Sequence, residues 1–163
     1  MSAWLFYAGP ENYLDARGEV EFAHELLWSA APQVKIGDTA LLYRRSLGKL
    51  TAERLAKDAN MPLALAQTLR KSGIGSDLVA LWEVMSLNEG PLGPWASSCH
   101  VHHVGRIQPP LTLKELRGNR PLYGAWPDLR WNFQAQGRDA LEIPERAWVL
   151  LAPLVRARLQ IRK

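Results

Sequence analysis

Residues 26–45 of this chain combine an aromatic ring with paired positive charges. Trp28 stands in a Ser/Ala/Pro stretch, and the turn Lys35-Ile36-Gly37-Asp38 leads into a short apolar strand that ends at Arg44 and Arg45. We expect Trp28 to lie in a loop. An exposed indole can stack on a flat ring, and guanidinium groups bind phosphate. These residue types together predict a site for nucleic acid, with Arg44 and Arg45 as its phosphate contacts.

The segment Cys99-His100-Val101-His102-His103 is a second candidate for chemistry. In a strand, His100 and His102 share one face, and Cys99 and His103 share the other. Two ligands on a face fall short of the four in a structural zinc site and the three in a catalytic one. We therefore predict no metal site here and interpret the segment as a polar edge strand.

The sequence lacks the motifs of the common enzyme classes. It has no G-x-S-x-G elbow, Walker loop or dinucleotide fingerprint, and no H-x-E with paired cysteines as in base deaminases. Its carboxylates are dispersed along the chain rather than clustered as a nuclease would need them. We expect a binding protein with no catalytic residues and no cofactor.

Composition fits one ordinary domain. With 163 residues and 47% hydrophobic content, the chain can bury a real core, and we assign residues 1–163 to a single domain. It has no run of 18 apolar residues and no signal-peptide pattern at its start, so we expect no membrane association. A single cysteine, Cys99, fits a reducing compartment. The expected location is the cytoplasm.

Positive charge is concentrated in parts of the chain. The net charge is +4, yet residues 35–71 hold eight cations against three anions, and residues 106–138 hold six against two. Residues 11–25 are acidic by contrast. A basic face opposite an acidic one is a plausible footprint for a polyanion, although an ordinary solvated surface has the same pattern.

The pattern of apolar residues predicts an α+β fold, a small closed or nearly closed β-barrel with short peripheral helices. The predicted strands span residues 4–8, 39–43, 78–85 and 99–107, the last ended by Pro109-Pro110. Helices are predicted over residues 19–28, over 112–117 with Thr112 as the cap, and from Pro144 onward. The last of these is expected to face inward through Ala147, Trp148, Leu150 and Leu151.

Residues 49–76 read as a helical-hairpin insertion between two strands. Thr51 can cap a first helix to about Ala59, and Pro62 can start a second that ends near residues 72–73. The inner positions would be Leu55, Ala56, Ala59 and Met61. Such a pair resembles a helix-turn-helix, which could place four polar or basic side chains on a DNA groove. These are Gln67, Thr68, Arg70 and Lys71.

Several segments, taken in order, resemble the EVE domain of the PUA-like superfamily and the related YTH domain. Trp4-Leu5-Phe6 with Pro10-Glu11 and Tyr13 is similar to the EVE start, and the 35–38 turn with Leu41-Leu42-Tyr43 to its next strand. Leu81-Trp82-Glu83-Val84 and residues 110–116 (PLTLKEL) resemble the following strand and its proline-led helix. Trp28-Ser29 is similar to the first cage tryptophan of YTH domains, and Gly137-Arg138-Asp139 to their closing segment.

This resemblance implies a reader that holds a flipped, methylated base of DNA or RNA in an aromatic pocket. By the same resemblance Trp28 and Trp95 would be the pocket walls, the Ser29 backbone would contact the base edge, and Arg138 would lie near the nucleotide. Asn12 is a candidate hydrogen-bond partner for a base nitrogen. A reader of this size would ordinarily need a separate effector protein.

The other tryptophans and two other functions complete the expectations. Trp4, Trp82 and Trp148 read as core, whereas Trp126 and Trp131 flank Pro127 and are candidates for either a lid or packing. One alternative is a sequence-specific DNA-binding regulator that uses the helical hairpin. The other is a PUA-type RNA-binding module that does not sense base modification.

Overall fold

The computed structural model describes residues 2–8, 25–29, 33–44, 46–72, 75–88, 98–131 and 140–161. Within these ranges the fold is mixed α+β. The strands are β1 (Ala3–Ala8), β2 (Glu25–Ser29), β3 (Thr39–Arg44), β4 (Asp77–Asn88), β5 (Ser98–Thr112), β6 (Ala140–Ile143) and β7 (Leu159–Ile161). The α-helices are α1 (Ala52–Asp58), α2 (Leu63–Arg70), α3 (Leu113–Gly118), α4 (Arg120–Ala125) and α5 (Glu145–Arg158). Two 3-10 helices span Leu47–Lys49 and Pro127–Trp131.

The described strands form one sheet, in the order β2-β5-β4-β3-β1-β6, with β7 also paired to β5. Strand β1 is parallel to β3, and the other pairs are antiparallel. The path is open, because the described parts of its two end strands, β2 and β6, pair only with β5 and β1 respectively. The α+β expectation is confirmed at this level.

Alternating side chains give the sheet two apolar faces. On β1, Trp4 and Phe6 join one buried cluster, while Ala3 and Leu5 join a second cluster on the opposite face. Strand β3 alternates in the same way. The hairpin α1–α2 packs on the first cluster, and α3, α4 and α5 pack on the second. Each large apolar side chain buried in this way contributes about 1.5–3 kcal/mol.

Several expectations from the sequence are confirmed. The predicted strands 4–8, 39–43 and 78–85 correspond to β1, β3 and β4. The Thr112 side chain caps α3 by accepting a hydrogen bond from the Glu115 backbone N–H at 3.1 Å. Thr51 caps α1 in the same manner, and Pro62 precedes α2. Of the hairpin's predicted inner residues, Leu55, Ala59 and Met61 are buried, and Ala56 is half-buried against the same cluster.

Three expectations are wrong. Residues 25–28 of the predicted helix 19–28 belong to β2, because they pair with β5, and residues 19–24 lie outside the described part of the chain. Strand β5 continues through Pro109-Pro110, since its register with β4 shifts between Leu78 and Ala80 and a proline without an N–H is tolerated at such an irregularity. Leu150 is 38% exposed, because α5 buries only the narrower stripe that includes Ala147 and Leu151.

No described helix is long and apolar enough to cross a membrane.

Candidate nucleic-acid interface

The end of the sheet at Ser98 brings two candidate segments together. Ser98 pairs with Ser29 of β2 on one side and with Asn88 of β4 on the other. Trp28 pairs with Cys99, so its backbone belongs to a strand and not to the predicted loop. In the sequence, Trp95 lies between Asn88, the last residue of β4, and Ser98, the first residue of β5.

Seven of the predicted site residues give no side-chain geometry. Asn12, Trp95, Arg138 and Arg45 lie outside the described residues, as does the side chain of Trp131, and for Trp28 and Ser29 only the backbone is described. Their roles therefore stay predictions. Chain connectivity still relates two of them to the opposite end of the sheet: Asn12 follows β1, and Arg138 precedes β6, which pairs with β1 through Phe6 and Ala140.

A buried aspartate fastens the turn before β3 to β1. Asp38 accepts hydrogen bonds from the backbone N–H groups of Ser2 (3.0 Å) and Lys35 (2.9 Å) and from the Trp4 indole Nε1 (2.9 Å). Burial alone would raise the pKa of Asp38, but these three donors outweigh it and lower the pKa overall. The Lys35–Asp38 turn, predicted from the sequence, is thus held by its own aspartate.

Replacing Asp38 by asparagine is expected to lower the free energy of unfolding at pH 7 by about 2 kcal/mol, because charge-assisted hydrogen bonds are lost and an amide N–H₂ group faces N–H donors. A carboxylate with a lowered folded-state pKa stabilises fully above the ordinary aspartate value of about 3.9, and this contribution disappears as the pH falls through the folded-state pKa. Urea unfolding of Asp38→Asn should therefore differ from the wild type at pH 7, and the difference should shrink as the pH falls through the folded-state pKa of Asp38. Asp58→Asn, which removes an exposed i,i+4 pair with Arg54, is the matched control and should change stability by less than about 0.5 kcal/mol. An equally small effect at Asp38 would contradict this account.

Arg44, predicted as a phosphate contact, is instead part of a buried ion pair. Its Nε and a terminal nitrogen donate to the two carboxylate oxygens of Asp77 at 2.8 and 2.7 Å. Both residues are buried, at 5% and 6% exposure. Because the two nitrogens already donate to a carboxylate, the guanidinium has few N–H donors left to bind a phosphate. We therefore leave Arg44 out of the proposed site.

The described tryptophans divide as expected, with one addition. Trp4 and Trp82 are buried in the first cluster, and Trp148 packs half-buried against the second. Trp126, for which both lid and packing were open, is 1% exposed and belongs to the second cluster. It is a core residue, so a lid role for Trp126 is wrong.

The histidine segment is not an edge strand. Residues 99–102 pair with β4 on one side and β2 on the other, so this part of β5 is interior to the sheet. His103 is buried beside Trp82, with ring centroids 4.9 Å apart, and His100 is exposed. Burial raises the pKa of the Cys99 thiol to about 11. The described residues hold no group of three or more metal-ligating side chains.

Among the exposed basic side chains of the described chain, those of two surfaces bear on nucleic-acid binding. On α2 and just after it, the side chains of Gln67, Thr68, Arg70 and Lys71 are all exposed. On α4, Arg120 and Tyr123 are exposed on one side of the helix, and the Arg130 guanidinium carbon lies 5.4 Å from the centroid of the Tyr123 ring. The second surface was not among the sites predicted from the sequence. Its sequence signal was the i, i+3 spacing of Arg120 and Tyr123 within a basic stretch.

Solved structures resemble the chain along nearly its whole length. No protein-family model and no curated protein matches it. A hypothetical protein from Leishmania major has a TM-score of 0.57 at 14% identity, covering 96% of each chain. Human THYN1 in complex with 5-methylcytosine-containing DNA has a TM-score of 0.53 at 13% identity, covering 95% of this chain and 98% of that one. The DUF55 domain of human thymocyte nuclear protein 1 has a TM-score of 0.51 at 14% identity, covering 94% and 98%. At these identities the likeness establishes a shared fold.

Proposed function

We propose that this protein is a nucleic-acid reader of the EVE type, which holds a flipped, methylated base between Trp28 and Trp95 in a PUA-like barrel. One observation supports the pocket most directly: Ser98 pairs with both Ser29 and Asn88. Three peptide units join position 95 to Ser98, so covalent geometry keeps the two Cα atoms within roughly 11 Å. We therefore propose that the two candidate walls lie at the same end of the sheet.

Nucleic acid as the partner is supported by the shared fold. The structure of human THYN1 contains 5-methylcytosine DNA, and its fold matches 95% of this chain. The basic excess over residues 35–71 and 106–138 agrees with a polyanionic partner.

Closure of the sheet into a barrel would unite the pocket residues. In the strand pairing, Ala140 is opposite Phe6, Phe6 is opposite Leu42, and Leu42 is opposite Ala80. Ser29 is opposite Ser98, which is in turn opposite Asn88. Ala80 and Asn88 are eight positions apart on β4, which in a flat sheet would be roughly 26 Å.

Barrels close with a stagger along their strands, and a shear of eight is an ordinary value. We propose that β6 meets β2 with about this stagger, which sets Ala140 beside Ser29. Asn12 and Arg138, near in sequence to the β1 and β6 ends, would then join the two tryptophans.

The energetics require both indoles. Taking a base out of its stack costs a few kcal/mol, and one aromatic platform returns roughly 1–3 kcal/mol. A buried methyl group adds only about 0.8 kcal/mol, so selectivity for a modified base depends on the shape of the pocket as well as on its area. We propose that the Ser29 backbone and Asn12 contact the base edge, that Arg138 lies near the nucleotide and that Arg45 binds phosphate.

In this proposal the protein binds nucleic acid without catalysing a reaction and acts through a separate effector protein.

A second candidate function is supported by α2 and the residue after it, where Gln67, Thr68, Arg70 and Lys71 are exposed as a groove-reading helix requires. This alternative is a sequence-specific DNA-binding regulator. The third candidate is a PUA-type RNA module indifferent to methylation.

Fluorescence anisotropy separates these functions. Short single- and double-stranded DNA and RNA, each unmodified, cytosine-methylated or adenine-methylated, are titrated at fixed salt. The reader predicts tighter binding to one modified strand, with Arg70→Gln and Lys71→Gln nearly neutral. Binding that ignores methylation and collapses in those two variants would replace the reader by the regulator. Binding to RNA alone, whatever its methylation, would favour the plain RNA module.

A further inference from the structure

A basic-aromatic patch covers the outer side of α4 and the 3-10 helix that follows. We define it by Arg120, Tyr123, Gly124 and Arg130. Arg120 and Tyr123 are three positions apart on one helix and lie on the same side. The Tyr123 ring is 36% exposed, with the Arg130 guanidinium carbon 5.4 Å from its centroid. An exposed ring stacked with a cation is held in place before any ligand arrives.

Buried side chains and hydrogen bonds hold the backbone beneath the patch in place. Leu122, Trp126 and Leu129, which alternate with the patch residues along the chain, are at most 1% exposed. From neighbouring helices, Arg117 Nε donates to the Leu129 carbonyl at 2.8 Å, and Arg146 Nε donates to the Ala125 carbonyl at 3.3 Å. The backbone beneath the patch is therefore tied to α3 and α5. A preorganised surface of this kind loses little conformational freedom on binding.

Gly124 has no packing reason to be glycine. A Cβ atom added there would meet no atom within 4 Å, and its φ is not in the left-handed region. A glycine inside a helix is destabilising relative to alanine. Glycine also allows a ligand to approach the backbone closely. Next to Tyr123 in the chain, this open glycine leaves room for a ligand.

We propose that the basic-aromatic patch binds the sugar-phosphate backbone and one stacked base of a nucleic-acid strand. Arginine side chains pair with phosphate oxygens, and an exposed tyrosine stacks on a base regardless of its sequence. Residues 106–138 contain two anions, Glu115 and Asp128. Glu115 forms an ion pair with Arg158, so only Asp128 is left to offset the positive charge of the patch. This inference rests on the proposed function, with the patch supplying affinity and the pocket selectivity.

Anisotropy titrations at several salt concentrations test the patch. Arg120→Gln and Arg130→Gln should each weaken binding roughly fivefold, equally for methylated and unmodified strands, and reduce the slope of log K against log salt by about one. Tyr123→Leu should weaken single-strand binding about tenfold, while Tyr123→Phe keeps it. Gly124→Ala should raise Tm by about 2–3 °C. Gly124→Leu should fold normally and bind more weakly.

Arg156→Gln is the matched control. It removes one exposed arginine from α5, ten residues and roughly 15 Å beyond Arg146 along the helix. Patch variants that bind no worse than Arg156→Gln would overturn the patch, whatever Trp28→Ala does. Weakening in the patch variants with no methylation preference in the wild type would support the patch and contradict the reader. A wild type that binds none of the strands overturns both.

Discussion

Replacing Trp28 by alanine should abolish the preference for a modified strand and weaken its binding between about 5- and 150-fold. The change removes one stacking platform worth roughly 1–3 kcal/mol from a pocket that has few other sources of affinity. Trp95→Ala should have the same effect, because a base held on one side alone does not recover the cost of leaving its stack. Anisotropy with matched methylated and unmodified strands measures both losses.

Two controls isolate the pocket from the fold. Trp28→Phe keeps an aromatic face and should retain most of the binding, whereas Trp148→Leu changes a half-buried tryptophan on α5 and should leave the methylation preference intact. Thermal unfolding shows whether each variant is folded. A folded Trp28→Ala that still prefers the modified strand would remove Trp28 from the site.

Replacing Arg44 by methionine should lower the free energy of unfolding by about 3–5 kcal/mol. The substitution leaves Asp77 buried at 6% exposure without the guanidinium that binds both of its carboxylate oxygens. Removing one partner of a buried pair costs far more than the pair contributes, because the remaining charge is uncompensated. Urea unfolding at pH 7 measures the change.

The double variant Arg44→Met with Asp77→Leu tests the cause. Replacing both charges by apolar groups should recover most of the lost stability, since no buried charge remains. It should also bind nucleic acid as the wild type does, because Arg44 lies outside the proposed site. An Arg44→Met variant that is stable but binds weakly would restore Arg44 as a phosphate contact.

Local patterns were sufficient to predict most elements. The alternation of Trp4, Leu5 and Phe6 specifies a strand buried on both faces, and the helix caps Thr51 and Thr112 lie where a hydroxyl precedes a helical repeat. These patterns depend only on residues close together in the sequence, so distant contacts do not change the elements that they predict. The helical hairpin followed from them directly.

Pairing between distant segments decided what local patterns could not. Residues 25–28 fit a helical repeat, yet they pair with residues of β5 that are more than 70 positions away in the sequence. Arg44 looked like a surface cation until its partner, Asp77, was placed across the β3–β4 pair. Tyr123 lies in α4 and Arg130 in the following 3-10 helix, so no single helical repeat predicts their contact. Tertiary context overrides propensity at each of these places.

The central claim is that one modified base is held at the Ser98 end of the sheet. The most direct measurement is the change of backbone amide NMR chemical shifts on adding a short methylated strand and, separately, its unmodified counterpart. The account predicts that the shifts specific to methylation cluster at Ser29, Asn88 and Ser98, and at Ala140 if the barrel closes as proposed. Shifts confined to residues 63–72, or identical for the two strands, would contradict it.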